Sequence, residues 1–323
     1  MLKNNKFDII IIDGNNFTFR AIHAMQDVLL NAEGINTTGL TIGVRMLLSY
    51  IEKYEPKCII VCWDIGRPEF RKKLLAKLGD QYKGKRKPRT EEEDKVLKWT
   101  SKILSSWFRF CGVAQARHPE MEADDIIFQI IESGISVDKN VLIVSSDKDL
   151  YQAFEYPNVS ILSFKDEIIV YEDFVEKYNI SPNIFFKYKS IVGDSTDNLK
   201  GIPGLGKKWA DKAFLEYDSP VKYAENQTPS TTNMKLLSKE GMRAYKVHVL
   251  ITNLKLFPHK IPPGLFSYSP FDWANLVKIA HKYELVQSFL TKQTQYRNGL
   301  ESLDQEAIIN RLNRIGVNNG RDS

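Results

Sequence analysis

Apolar residues in the first half of the chain come in short unbroken runs separated by longer amphipathic stretches. Phe7 to Asp13 reads Phe-Asp-Ile-Ile-Ile-Ile-Asp, and Lys57 to Asp64 and Val141 to Ser145 have the same character. Such runs, without strict alternation, predict strands covered on both faces, the pattern of a parallel sheet. Between them the spacing turns helical. Leu40, Val44, Leu47, Leu48 and Ile51 form one face after Thr37 and Thr38, and Val96, Thr100, Ile103, Leu104, Trp107 and Cys111 form another. The latter helix is expected to start at Thr90, with Glu93 three residues on completing a capping box. Trp99, Trp107, Phe108 and Phe110 are read as core in preference to base-stacking residues. Strands alternating with helices predict an α/β domain with a mostly parallel central sheet flanked by helices.

The second half is predominantly helical. Val159 to Phe164 and Ile168 to Tyr171 predict a sheet edge. Ser181-Pro182 predicts a helix start, with Ile184, Phe185, Tyr188 and Ile191 on one side. Asp218 to Thr232 is polar and reads as a loop. Helices are expected from Ser238 to about Leu254, around Trp273 to Leu290, and in the last thirty residues, where Ser302 and Gln305 suggest a cap and Gly316 an end. Three parts result: an α/β domain over 1–180 with an insertion at about 66–110, a helical domain over 181–290, and a C-terminal helix and tail over 291–323.

Composition narrows the setting. The chain is 43% hydrophobic and 26% charged, ample for a sizeable core, and its net charge is only +5. No apolar run approaches the ~20 residues needed to span a bilayer, so no membrane partner is expected. Met1 to Lys6 does not read as a signal peptide. Cys58, Cys62 and Cys111 are an odd count, two of them within an apolar run, and read as buried small residues of a cytoplasmic protein. The distribution of charge is more telling. Arg71 to Arg89 holds nine Lys or Arg residues against one acid, Asp80, and marks a polyanion-binding insertion with DNA or RNA as its natural ligand.

Acids gather where each run ends. Asp13, Asp64, Asp147 and Asp149 close the three predicted strands, and ligands of open parallel sheets bind outside those carboxyl ends. Glu122-Ala-Asp124-Asp125 opens a strongly apolar segment. A helix start favours one or two acids, but three crowded at the edge of a core call for a cation. Gly193-Asp194-Ser-Thr-Asp197-Asn198 adds two acids spaced so as to face the same way. Gly201-Ile-Pro-Gly204-Leu-Gly206-Lys207-Lys208 follows, a turn whose glycines let backbone N–H groups approach an anion. It lacks Walker-loop spacing and follows no strand, so a helix–hairpin–helix grip on a nucleic-acid backbone fits better. Converging carboxylates with oxygen donors alone point to Mg²⁺, with Mn²⁺ as a substitute. Two such ions roughly 3.5–4 Å apart suit phosphodiester hydrolysis.

In order, Ile12-Asp13-Gly14, Arg20-Ala-Ile-His-Ala24, Trp63-Asp64, Phe70-Arg71, Tyr82-Lys-Gly-Lys-Arg86, Glu122 to Asp125, Ser146 to Asp149, Gly193 to Asn198 and Gly201 to Gly206 resemble the structure-specific 5′-nuclease (flap endonuclease) family. The likeness is greatest to bacteriophage 5′-nucleases and the 5′-nuclease domain of bacterial DNA polymerase I. It covers about residues 7 to 217, and more loosely Lys239 to Phe257. The resemblance implies one metal cluster from Asp13, Asp64, Glu122, Asp124 and Asp125, and a second from Asp149, Asp194 and Asp197 with Asp147 between. It implies a helical arch over Arg71 to Trp107, with Lys83 as the catalytic lysine and Arg86 beside it. Arg20, Arg71, Lys83, Lys85, Arg86, Gly201, Gly204, Gly206, Lys207 and Lys208 would contact nucleic acid, with K⁺ bound at the hairpin in some relatives. The implied activity is a 5′-3′ exonuclease or flap endonuclease acting on branched DNA or RNA/DNA duplex, in primer removal during replication and repair. A monomer is expected, with a clamp or single-strand-binding protein as the class of protein partner. Trp63 stands where the family commonly has phenylalanine, Gly112 to Met121 departs from its wording, and His118 reads as a surface-loop residue. A non-catalytic branched-DNA binder and a PIN-type ribonuclease are the competing readings.

Overall fold

A computed structural model describes residues 6–84 and 88–318. Its centre is a six-stranded sheet of order β3-β2-β1-β4-β5-β6, comprising β1 (Ile9–Asp13), β2 (Cys58–Asp64), β3 (Ala114–His118), β4 (Val141–Val144), β5 (Val159–Leu162) and β6 (Ile168–Ile169). All neighbours pair parallel except the edge strand β6. The apolar runs become strands because both faces are covered: Ile9, Ile10, Ile11 and Ile12 have no solvent exposure. Their side chains alternate between two cores, as a period of two requires. Ile9 and Ile11 join one cluster with Ile126, Ile130 and Leu254, while Ile10 and Ile12 join another with Leu47, Leu104 and Trp107.

Helices α1 (Gly14–His23), α2 (Thr38–Tyr54) and α4 (Glu91–Phe110) contribute to the second core, as do α12 (Trp273–Lys282) and α13 (Gln293–Glu301). Helix α3 (Glu69–Ala76) precedes α4. Opposite lie α5 (Ala123–Glu132), α6 (Tyr171–Tyr178) and α7 (Phe185–Val192), then α8 (Lys207–Glu216), α9 (Pro220–Asn226), α10 (Thr231–Leu237), α11 (Lys239–Thr252) and α14 (Gln305–Asn318). The expected boundary after residue 180 does not divide this core, since Ile9, Leu254 and Ile309 share one cluster. β1 lies between β2 and β4, so chain crossovers leave it in both directions and open a crevice at its carboxyl end.

The Thr90–Glu93 capping box forms as expected, Trp107 and Phe108 are fully buried, and the three cysteines are free and buried. Elsewhere the sequence reading needs correction. Gly14-Asn15-Asn16, which no sequence signal marked, is the first turn of α1, because the Asp13 carboxylate accepts the Asn16 N–H at 3.0 Å and caps it. His118 does not lie in a loop; it ends edge strand β3 opposite Asp64. The polar stretch 218–232 contains α9, capped by Ser219, and ends in the start of α10, capped by Ser230. The helix at Trp273 stops at Lys282, short of Leu290. Ser302 closes α13 instead of opening the last helix, and α14 runs past Gly316.

Arg71 is the largest departure. Expected to contact nucleic acid, it is 2% exposed, because α3 turns it inward. Both carboxylate oxygens of Asp125 accept from its guanidinium, at 2.6 and 2.7 Å, and Glu122 accepts at 2.8 Å. Its Nε donates to the Ile251 carbonyl, and the guanidinium sits over the Phe257 ring. One planar fork thus ties α3, α5 and α11 together. Deleting one member of such a buried pair leaves an uncompensated charge, so Arg71→Met should lower the unfolding free energy by about 3–5 kcal/mol. Adding Asp125→Asn should restore part of that loss. Denaturant unfolding checks this; an Arg71→Met protein as stable as wild type would contradict the account.

Candidate metal centre and active site

The crevice at the sheet's carboxyl edge collects the acids from separate chain segments. Asp13 at the end of β1 is held twice, by the Asn16 N–H and by the Ser145 hydroxyl at 3.0 Å. Burial, then the neighbouring charges of Asp64 and Asp147, pushes its pKa up to about 7. Asp64 at the end of β2 accepts from the Ala123 N–H and from the Asn15 side chain at 3.2 Å, fastening the first turns of α1 and α5 to one carboxylate. Its pKa is also raised, by burial first. Glu122 caps α5, and its own N–H donates to Asp125 at 2.9 Å. The crowded Glu122 to Asp125 stretch is therefore both a helix start and a site wall.

Beyond β4, Asp147 caps the 3₁₀ segment Lys148–Glu155 by accepting the Asp149 N–H at 2.9 Å, which turns Asp149 inward to 4% exposure. Burial pushes Asp149 up to about 7, with Lys189 opposing and Asp147 adding to the rise. Asp194 and Asp197 come from the turn after α7, which closes by reciprocal backbone hydrogen bonds between Asp194 and Leu199 at 2.7 and 2.9 Å. The turn needs Gly193 and Gly201 at φ 89° and 65°; a Cβ on Gly201 would lie 2.4 Å from the Ile191 carbonyl oxygen.

Among the described residues, three triads bring carboxylate oxygens within 4.8 Å of one another: Glu122, Asp124 and Asp125; Asp124, Asp147 and Asp149; and Asp149, Asp194 and Asp197. Asp124 and Asp149 each belong to two, so the groups form a continuous chain of donors. Asp13 and Asp64 line the same crevice without joining a triad. Asp125 belongs to one, yet both its oxygens are engaged by Arg71, so it supports the site from behind.

Two lysines stand among these acids. Lys83 Nζ donates to Glu122 Oε1 at 2.5 Å and lies 3.7 Å from Asp197. Lys189 Nζ bridges Asp149 and Asp194, the latter at 2.6 Å, and is itself buried. Burial works against each ammonium, but the surrounding carboxylates outweigh it and hold both well above the ordinary lysine range. Glu122, although buried, is held below its ordinary value by Lys83 and Arg71. The oxygen-only donor set, and the positive charge already drawn among it, fit a hard divalent cation.

Lys189 was missed by the sequence reading. The signal was a lysine beside Tyr188 in the apolar stripe Phe185, Tyr188, Val192 of α7, where a lone charge must find a buried partner. Arg20 is paired with Asp166 at 2.6 Å and sits over Phe164. Gly204 and Gly206 are exposed in the turn that joins α7 to α8, with Lys207 and Lys208 exposed in the first turn of α8. Lys85 and Arg86 lie outside the described residues.

Comparison with known proteins agrees with this geometry. The family described as the 5′-3′ exonuclease, N-terminal resolvase-like domain, matches residues 8–179. A 5′-3′ exonuclease of Aquifex aeolicus is 28% identical over 249 residues, 77% of this chain and 83% of the relative. DNA polymerase I of Bacillus subtilis is 27% identical over 76% of this chain, which spans only 27% of that longer protein. Among solved structures, the bacteriophage T5 flap endonuclease in a pseudo-enzyme–product complex with DNA and metal ions superposes with a TM-score of 0.62 at 20% identity, over 94% of this chain and 99% of that one. Flap endonuclease-1 of Methanococcus jannaschii gives 0.57 at 15% identity, over 98% and 94%. The likenesses to solved structures establish the fold, and the match over more than half of the sequence establishes the family: this chain is a nuclease belonging to the 5′-3′ exonuclease family.

Proposed function

We propose that the chain is a Mg²⁺-dependent, structure-specific 5′-nuclease that hydrolyses phosphodiesters at 5′ flaps and 5′ ends of duplex DNA or RNA/DNA. The observation that carries this reading is the continuous chain of three carboxylate triads at the carboxyl edge of the sheet, with Lys83 beside Glu122 and Asp197 and Lys189 between Asp149 and Asp194. Mg²⁺ held there by Asp124, Asp147, Asp149, Asp194 and Asp197 would supply an activated water and charge for the leaving oxygen. Lys83 Nζ, 12% exposed at its side chain, faces the same crevice and presents a cation to the scissile phosphate. Lys207, which also borders the crevice, Lys208 and the N–H groups at the start of α8 would grip a duplex backbone, with recognition of shape and end instead of base sequence. Removal of primers and flaps in replication and repair follows from that substrate class, as does DNA as the principal partner. The DNA-bound T5 relative supports this assignment.

Cleavage of an end-labelled 5′-flap duplex is the direct test. Wild-type protein with Mg²⁺ should cut near the junction; EDTA should abolish cutting, and Asp149→Asn should reduce it by at least about a hundredfold while still binding the flap, because it removes a donor shared by two triads. Binding without cutting under Mg²⁺ or Mn²⁺ would contradict the proposal.

A second test uses proton linkage. Asp13 and Asp149 have pKa values near 7, above the 3.8 of the free group. Their burial as anions therefore destabilises the metal-free fold progressively as pH rises from about 4 through 7. Bound metal needs Asp149 deprotonated as a donor and favours an anionic Asp13 in the same crevice. Metal-free protein should lose melting temperature between pH 5 and pH 8, and the increment from added Mg²⁺ should be larger at pH 8. An equal increment at both pH values would remove these carboxyls from the metal site.

A further inference from the structure

Lys83 has an unusual support. It lies in the 80–84 turn, within the basic insertion, and takes a left-handed conformation, φ 54°. A lysine has no intrinsic reason to hold that conformation, and the turn belongs to no helix or strand of its own. The Tyr82 hydroxyl donates to Glu122 at 2.7 Å and the Asp80 N–H to the Leu75 carbonyl at 3.2 Å; the remaining attachments converge on the 194–200 turn that carries two of the metal-site acids. The Lys83 N–H donates to the Asp197 carbonyl at 3.2 Å, and the Asn198 side-chain N–H donates to the Gln81 carbonyl at 2.8 Å. Lys200 pairs with Asp80 at 2.6 Å, and Leu199 packs in a small cluster with Tyr82.

Asn198 is the least replaceable of these links. It is 6% exposed, at φ 62°, a conformation asparagine tolerates. Its carboxamide Oδ1 has no hydrogen-bond partner among the described residues, so the bond to Gln81 is what orients the side chain. Aspartate would set an oxygen against the Gln81 carbonyl, and serine would fall short of it. The Lys200–Asp80 pair, by contrast, joins an exposed lysine to a partly exposed acid and is screened by solvent.

We propose that Asn198 is a positioning residue for Lys83. Its side-chain N–H clamps the 80–84 turn onto the acid-bearing turn, so that Lys83 Nζ lies between Glu122 and Asp197. The turn that supplies Asp194 and Asp197 therefore also sets the distance from the metal-site carboxylates to the lysine that meets the phosphate. This rests on the reading of Lys83 given above, and the experiment separates the two.

The test is a double-mutant cycle on single-turnover cleavage of a 5′-flap duplex with Mg²⁺, using wild type, Lys83→Ala, Asn198→Gly and the double variant. Glycine keeps the left-handed backbone and removes the side chain that carries the donor, and melting temperatures confirm folding. Asn198→Gly should slow cleavage about tenfold, the effect of one lost orienting hydrogen bond, with flap affinity within about twofold of wild type. In the Lys83→Ala background the same substitution should cost nothing further. If Asn198→Gly cuts at the wild-type rate, or slows the Lys83→Ala enzyme by the same factor as wild type, the inference is overturned. If Lys83→Ala itself cuts at the wild-type rate, it is the earlier reading of Lys83 that fails. Should Asn198→Gly not fold, Asn198→Asp, which keeps size and backbone tolerance but reverses the donor, is put through the same cycle.

Discussion

Electrostatic repulsion at the carboxyl edge of the sheet is the constraint on which the rest of the structure depends. Asp13, Asp64, Glu122, Asp124, Asp125, Asp147, Asp149, Asp194 and Asp197 converge there, most of them substantially withdrawn from solvent. Burying an anion without a counter-charge is costly. The fold answers with three buried or nearly buried cations, Arg71, Lys83 and Lys189, each drawn from a different segment. They are too few for every carboxyl, and burial, with neighbouring carboxylates adding to it, pushes the pKa values of Asp13 and Asp149 up to about 7. A site built this way is completed by further positive charge, and a divalent ion is the compact way to supply it.

The three cations are not equivalent. The Arg71 guanidinium is locked by Asp125, Glu122 and a backbone carbonyl, with 3% of its side chain exposed, and it serves the architecture. Lys83 and Lys189 make point contacts on flexible stems, Lys83 with Glu122 and Asp197 and Lys189 with Asp149 and Asp194. An ammonium in such a place can withdraw when a metal or phosphate arrives, which a bidentate fork cannot do without breaking the core. The same basic region of sequence thus supplies a core strut at Arg71 and a cation among the crevice carboxylates at Lys83.

Much of this was legible in the sequence because the underlying signals are local. Unbroken apolar runs closing on Asp13 and Asp64 report strands buried on both faces and ending at a site, and the Glu122 to Asp125 crowding reports a helix start that needs a cation. The Gly193 to Gly206 stretch reports a turn through its positive-φ glycines. What stayed hidden depends on tertiary pairing. Nothing next to Arg71 in the chain says that Asp125 will bind both its amine groups, so a run of basic residues made it look like surface. Lys189 looked like an ordinary helix residue until α7 placed it over Asp149. Asn16 gave no sign that Asp13 would cap α1 as well as line the crevice. The edge strand β3 escaped because Ala114 to His118 is short and mixed, and it forms by pairing with β2 rather than from any pattern of its own.

If the carboxylate chain is a divalent-metal site, Lys83 and Lys189 partly offset its negative charge and must yield to the ions. Anomalous diffraction from crystals grown with Mn²⁺ tests this most directly. The account places strong peaks between Asp124, Asp147 and Asp149 and between Asp149, Asp194 and Asp197, with Lys189 Nζ displaced from the bridge between Asp149 and Asp194. Crystals that take up Mn²⁺ elsewhere, while that lysine bridge persists and both triads remain empty, would contradict it.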